Sequence, residues 1–544
     1  MSYISNVVAG TILLYTLERV ITYFNIKSLS PHGLACSSLA QPYLNGTAIT
    51  KFTAELKTQW TPEGSPIPAE QLVPLLGVSS YNISYCRVEM AYTHPGQNDT
   101  VNLQIWLPEQ WNGRFNGVGG GGWRAGVFDQ SLLPAIIQGY AAASTDGGHN
   151  ATEVSALPWA LKSPGNVDVV ALQNFGSVTL NELSIFGKMV TESFYQKAPA
   201  YSYWTGCSQG GRQGMMLAQR YPEAFDGIIA AAPALNIIPL LASLFHAQAV
   251  MNTLGEYPPN CEFEAIGAAA IAACDELDGV KDSIISIPEL CSFDPFTVVG
   301  QPANCGNSSS NVISNATATV ANATWYGVSD RRGKKIYPGY AFDAPLQATT
   351  DTDCQASGTC LTTAAWLLGA QWFQLFVEKN ATFDWSVITA ERLPDYLYAG
   401  QQQWDSIINT NDADLSDFKE AGGKLLTWHG IADDLIPSGG STQYYDRVAA
   451  LDADVDEYYR LFLAPGLHHC AGGPGPAPVN NALQQLVAWV ENGTAPDTLP
   501  AVGTQHVNGT VLSRDLCPYP LVSVYQGGAA TDASSYSCVD AESA

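Results

Sequence analysis

The chain has 544 residues, of which 46% are hydrophobic and only 14% charged, with 50 Asp+Glu against 24 Lys+Arg. A net charge of -26 argues against nucleic acid and anionic membranes as partners, since like charges repel. The length is enough for a large core and two domains.

Twelve cysteines, with no CxxC pair at zinc spacing, point to disulfides and an oxidising compartment. N-x-S/T sequons are dense, at Asn45, Asn82, Asn98, Asn150, Asn307, Asn315, Asn322, Asn380, Asn492 and Asn508. Together they predict a glycosylated, secreted protein. Residues 7–16 are apolar like the h-region of a signal peptide, although no Lys or Arg precedes them. Glu18, Arg19 and Lys27 interrupt a longer run, so residues 1–34 are read as a signal-like leader and not a membrane span. No later long apolar run is read, which gives a soluble enzyme.

In chain order, residues 36–86 hold Cys36 and Cys86, an expected bridge, among mixed short segments. Val101–Leu107 alternates like a half-buried strand. The run Gly119-Gly120-Gly121-Gly122 follows a turn; such a loop either aims backbone N–H groups at a ligand or is a flexible connector. A dinucleotide-binding reading is weaker, because no helix with a distal acidic partner follows. Residues 139–149 read as a strand and turn ending in His149, a base by residue type but assigned to the site's wall. Residues 168–196 read as a helix.

Tyr201–Thr205 then reads as a buried strand, and residues 211–220 as a helix stopped by Pro222. Between them lies Gly206-Cys207-Ser208-Gln209-Gly210, the G-x-S-x-G pattern of a nucleophile elbow. A serine on so tight a turn is strained, and side chains larger than hydrogen at the glycines would collide with strand and helix. The backbone N–H of Gln209, with Gly120 and Gly121, would form the oxyanion hole. Residues 225–234 give another buried strand. Strands and helices alternate and the strands are continuously apolar, so the fold class is α/β with a mainly parallel sheet.

From about 236 to 421 the strand signals fade, and the segment is read as a domain inserted over the active-site end of a sheet built from 35–235 and 422–544. Its aromatic residues Trp366, Trp372, Phe373 and Phe376 are assigned mostly to core. Within it, Cys274–Ile284 carries Asp275, Asp278 and Asp282 around Gly279. Hard carboxylate oxygens suit calcium, with main-chain oxygens of Val280 and Ile284 completing the shell. A solvated acidic turn has the same spacing, and an EF-hand is excluded because its twelfth position is Ser286. Cys274 and Cys291 flank the loop and would staple it.

The sheet resumes at Gly423–Gly430. Asp433 stands just beyond the strand's carboxyl end, with Asp434 the competing choice and His429 structural. A further strand from Leu461 leads to His468, His469 and Cys470. The order Ser208, Asp433, His469 is that of α/β-hydrolases, with His469 as base, Asp433 as its orienter and His468 as the runner-up base. Cys207 precedes the serine and Cys470 follows the histidine, and a bridge between them would clamp nucleophile to base. A closing helix around 482–491 and a tail with Cys517 and Cys538, expected to bridge, complete the chain. Cys261, Cys305, Cys354 and Cys360 are left unassigned.

Residues 206–214, 218–222, 225–228, 274–284, 430–437, 469–470 and 514–520 together resemble the fungal tannase and feruloyl esterase family, over a span from about residue 36 to near the end. The resemblance implies an α/β-hydrolase with a large inserted lid domain, a structural calcium ion in the lid, the Cys207–Cys470 bridge and secretion. It also implies phenolic-acid esters as substrates, either feruloyl esters of plant cell-wall polysaccharide or galloyl esters of tannins. A non-catalytic secreted binding protein on the same scaffold is the second reading, opposed by the intact Ser, Asp and His.

Overall fold

The computed structural model describes residues 36–60, 83–306, 311–354, 360–362, 367–507 and 510–540. The leader at 1–34, the sequons at Asn82, Asn307 and Asn508, and Trp366 lie outside these residues. Nine strands form one sheet: β1 (Ala48–Trp60), β2 (Ile83–Thr93), β3 (Val101–Pro108), β4 (Arg114–Val118), β5 (Ala141–Thr145), β6 (Tyr201–Cys207), β7 (Gly227–Ala231), β8 (Lys424–Gly430) and β9 (Tyr459–Ala464). Their order is β1-β2-β3-β5-β4-β6-β7-β8-β9. The first three strands and the β3–β5 pair are antiparallel, and every pair from β5 to β9 is parallel.

The central parallel strands are buried on both faces, as at β5 and β7, where every residue is buried. Alternation sends neighbours to opposite sides: Trp204 joins the core on one face, with Leu183 and Phe225, and Tyr203 joins the other, with Trp428 and Leu486. The mixed segments expected before residue 86 are instead the long edge hairpin β1–β2. Its register runs from Ala48 opposite Thr93 to Trp60 opposite Ile83, with Cys36 bridged to Cys86.

Residues between β7 and β8 add no strand to this sheet among the described residues. The first element there is α1 (Ile237–Leu254), an 18-residue helix apolar enough to meet a membrane-span test, with 78% of it buried in the protein. It corrects the expectation that no long apolar run follows the leader. A helix apolar on all sides belongs inside a large core. It packs with Trp372, Phe373, Phe376 and Leu397 from later in the segment and with Trp123 beside the glycine run, in one buried cluster. That cluster ties the segment to the loops at the carboxyl ends of the parallel strands.

All twelve cysteines are paired: Cys36–Cys86, Cys207–Cys470, Cys261–Cys305, Cys274–Cys291, Cys354–Cys360 and Cys517–Cys538.

Candidate active site

Ser208 sits between β6 and α2 (Gln209–Arg220) with φ 63° and ψ -121°, a conformation that L-residues rarely adopt. Three backbone hydrogen bonds hold it there. Its N–H donates to Ala231 O at 3.0 Å, and its carbonyl accepts from Arg212 N at 2.9 Å and Ala234 N at 3.1 Å. The glycines are needed sterically: a Cβ on Gly206 would stand 2.4 Å from the Gly210 backbone, and one on Gly211 would stand 2.4 Å from Ala231 O. The elbow therefore exists because these two close backbone approaches tolerate no side chain.

The imidazole comes from the loop after β9. His469 Nδ1 lies 2.8 Å from Asp433 Oδ2 and 3.1 Å from Oδ1. Asp433 is wholly buried. Its Oδ1 accepts from the N–H groups of Leu435 at 2.9 Å and Ile436 at 2.8 Å, and its Oδ2 stands 3.2 Å from His429 Nε2. Burial alone would raise the carboxyl's pKa, but the charges and hydrogen bonds of His469 and His429 outweigh it and hold the group well below the usual carboxylate range. Burial likewise opposes charge on His469, yet the Asp433 charge and hydrogen bond, helped by Asp434, raise its pKa above the ordinary imidazole value. With its Nδ1 on Asp433, the ring leaves Nε2 as the nitrogen available for proton transfer.

The rival residues separate cleanly. Asp434 Oδ1 accepts the backbone N–H of His469 at 3.1 Å, so it holds that residue's main chain and not its ring. His429 is buried, with Nδ1 on Ser441 Oγ at 2.8 Å and Nε2 on Ile436 O at 2.9 Å. His149 lies behind the site, stacked on Trp159 at 4.0 Å, which in turn meets the edge of Trp123. Burial pushes its pKa down to about 4, so the ring is neutral. Between Cys207 and Cys470 the Cα atoms stand 6.0 Å apart, and Ser208 and His469, one residue from each cysteine, line the same cleft.

That cleft is lined by Gly122, Trp123, Ser208, Gln209, Ala234, Ile237, Leu240, Leu241, Leu244, Leu368, Leu435, Ile436 and His469. Gln209 is the first residue of α2, so its N–H has no carbonyl four residues back to bond. The expected glycine donors fare differently. Gly120 does not keep a free donor: its N–H donates to Gln213 Oε1 at 3.0 Å, and its carbonyl accepts from Gly210 N at 3.1 Å. Neither Gly120 nor Gly121 lines the cleft; the loop reaches it one residue later, at Gly122. The reason is the tight packing of Gly119 and Gly120 against the elbow, where a Cβ on Gly119 would be 2.6 Å from Gly210 Cα.

Two residues with supporting roles escaped the sequence reading. Gln213 fixes the glycine loop from both sides, accepting from Gly120 N and donating to Ala125 O at 2.8 Å. Arg212, fully buried, donates to Gln209 Oε1 at 2.7 Å, to Thr410 Oγ1, and to the carbonyls of Phe175 and Gly176. Those carbonyls lie in a π-turn, Asn174–Val178, that interrupts the expected 168–196 helix. Burial without a carboxylate lowers the guanidinium pKa to about 9. Apart from Gln209, three residues from Arg212, the partners are dozens to hundreds of residues away, so nothing local in the sequence marks these contacts.

In the acidic loop, Asp275 Oδ1 accepts from Asp282 N at 3.1 Å and Ser283 N at 2.7 Å. Asp278 accepts from Val280 N and Ser286 N. Asp282 bonds Ile284 N and faces Arg514 at 3.3 Å. Asp343, from outside the loop, accepts from Ile285 N, and its Oδ1 is buried with no partner. Burial and the neighbouring carboxylates raise both Asp282 and Asp343 to about 6. Among the described residues no three metal-binding side chains stand together, so a cation here would depend on main-chain oxygens as well.

A family model described as tannase and feruloyl esterase matches residues 86–539. The chain is 40% identical over 511 residues to a protein named probable feruloyl esterase from Arthroderma benhamiae, covering 92% of this chain and 93% of that one. It is 31% identical to one named probable feruloyl esterase B from Aspergillus clavatus, covering 88% and 92%. Among solved structures, tannin acyl hydrolase from Aspergillus niger superimposes with a TM-score of 0.82 at 30% identity, covering 94% of this chain and 95% of that one. Feruloyl esterase B from Aspergillus oryzae does so with 0.76 at 26% identity, covering 93% and 100%.

Proposed function

Because the chain belongs to the tannase and feruloyl esterase family of α/β-hydrolases, it is a carboxylic ester hydrolase acting on phenolic esters, and we propose that Ser208, His469 and Asp433 perform the cleavage through an acyl-enzyme. The observation that carries the assignment is the Asp433–His469 contact in the same cleft as a strained, half-buried Ser208 at the apex of its turn.

His469 Nε2 takes the Ser208 Oγ proton as that oxygen attacks the ester carbonyl. The resulting oxyanion is received by the Gln209 N–H at the helix start. The tetrahedral intermediate collapses, the C–O bond to the alcohol breaks, and His469 delivers the proton to the leaving oxygen. Water, deprotonated by the same nitrogen, then releases the acid and restores Ser208. Asp433, kept ionised, fixes the tautomer and balances the transient imidazolium. The substrates proposed are hydroxycinnamoyl esters of plant cell-wall polysaccharide, the alcohol part lying at the open mouth; galloyl esters are the alternative. Wild type is expected to hydrolyse methyl ferulate and p-nitrophenyl acetate, with kcat falling about 10³–10⁶-fold in Ser208→Ala. Equal rates in the two proteins would remove Ser208 as nucleophile.

Secretion and glycosylation belong to the same proposal. Six disulfides support an oxidising compartment. Seven sequon asparagines lie in the described residues (Asn45, Asn98, Asn150, Asn315, Asn322, Asn380 and Asn492), and all are exposed. Glycan release from enzyme secreted by a fungal host should lower its mass. For the 236–421 segment, we propose a lid whose 274–284 loop holds calcium through Asp275, Asp278, Asp282 and the main-chain oxygens of Val280 and Ile284. The support is the burial and carboxylate repulsion that raise Asp282 and Asp343, and the partnerless Asp343 Oδ1. A bound cation would supply charge neutralisation and rigidity there, not chemistry. Adding EDTA should lower the melting temperature, and an unchanged melting curve would count against the site.

A further inference from the structure

Two side chains on the lining of the catalytic cleft carry hydrogen-bond donors that have no acceptor. Gln209 and Trp123 are each only 2% exposed, and neither Gln209 Nε2 nor Trp123 Nε1 has a partner. Chemistry fixes which end of the Gln209 amide is free. Arg212 Nε stands 2.7 Å from Gln209 Oε1, and a guanidinium only donates, so the oxygen must face it and Nε2 is the end left over. The indole N–H of Trp123 is likewise a donor only. Both side chains are held through Phe175: Arg212 donates to its carbonyl at 3.2 Å, and the Trp123 ring lies 5.6 Å from its ring. Much of the remaining lining is aliphatic, led by Ile237, Leu240, Leu241 and Leu244 on one stripe of α1. Those side chains hold no acceptor, and they yield to an incoming ring without breaking a hydrogen bond.

A buried donor without an acceptor lowers stability, and native proteins leave few of them. Two on the wall of one cleft, beside the nucleophile, match an oxygen that arrives with the substrate. We infer that Gln209 Nε2 and Trp123 Nε1 recognise the acyl part of the ester by donating to an oxygen on its aromatic ring, a hydroxyl or a methoxyl. The assignment rests on the esterase reading above and names the specificity-determining side chains of that site. Because both groups only donate, they read the lone pairs of the ring oxygen and not its proton. A ring without oxygen leaves both donors unpaired, which is how a site built to hydrogen-bond its substrate rejects the analogue that lacks the group.

The test compares, within each protein, kcat/KM for methyl 4-hydroxycinnamate and methyl ferulate with that for methyl cinnamate, which has the same skeleton and no ring oxygen. A ratio taken within one protein cancels any general loss of activity. Wild type is expected to favour the oxygenated esters by about 10- to 100-fold, the range for two ordinary hydrogen bonds. Trp123→Phe removes the indole N–H and Gln209→Leu removes the amide. Each should reduce the ratio at least about threefold, and the two together should bring it close to one. A wild-type ratio near one, or a ratio unchanged by either substitution, would overturn the recognition assignment alone, provided that wild type hydrolyses p-nitrophenyl acetate and Ser208→Ala does not. Wild type inert toward every ester would overturn the parent reading and this one with it. Where Gln209→Leu fails to fold, the wild-type ratio and Trp123→Phe still decide.

Discussion

The two ends of one cleft are built on opposite principles. At the reacting end each group is held by short, directional contacts: Ser208 by three backbone hydrogen bonds, Asp433 by two backbone N–H groups and two imidazoles. These groups ride on loops at the carboxyl ends of parallel strands, which fix them before substrate arrives. Away from these groups the wall is aliphatic and comes largely from one helix of the 236–421 segment. Such a wall excludes water and imposes no direction. The contrast teaches that positioning and water exclusion come from different parts of the chain, so mutations at the two ends should affect different kinetic constants.

The strongest way to break this comparison is Asp433→Asn. It keeps the shape but offers His469 the wrong tautomer, and kcat should fall about 10⁴-fold with KM little changed. A loss under tenfold would mean that the base is oriented by something else. Next is removal of the clamp, Cys207→Ser with Cys470→Ser. The bridge spans 263 residues, for which chain entropy gives at most about 5.6 kcal/mol. A lower melting temperature is expected, with kcat reduced by about 10² because an ångström of slack between nucleophile and base is costly. Retention of both would show that β6 and β9 alone set the geometry.

The smallest effect sharpens the electrostatics. His469 must be neutral to accept the serine proton. Since its pKa is raised, kcat/KM should fall on the acid side with a midpoint above the ordinary imidazole value of 6.5. Asp434 contributes to that rise through its charge and holds the His469 N–H through Oδ1. Asp434→Asn keeps an acceptor and removes the charge, so the midpoint should move down while the plateau changes less than about threefold. A pH–rate profile of both proteins checks it.

The sequence alone picked out the candidate reacting residues, because their signals are local or pairwise. G-x-S-x-G needs its glycines within five residues, and the dipeptides Cys207-Ser208 and His469-Cys470 name the nucleophile and base together. Most strands of the parallel sheet were equally readable from continuous apolar runs. Only the tertiary structure decided the rest. The β1–β2 hairpin was hidden because its strand character depends on its partner. Gly120 was removed from the oxyanion donors by the amide of Gln213, 93 positions on in the chain. The aliphatic wall of the cleft was invisible for a similar reason: α1 is apolar on every side, so periodicity cannot say which stripe lines the cleft until the fold lays one face beside Ser208.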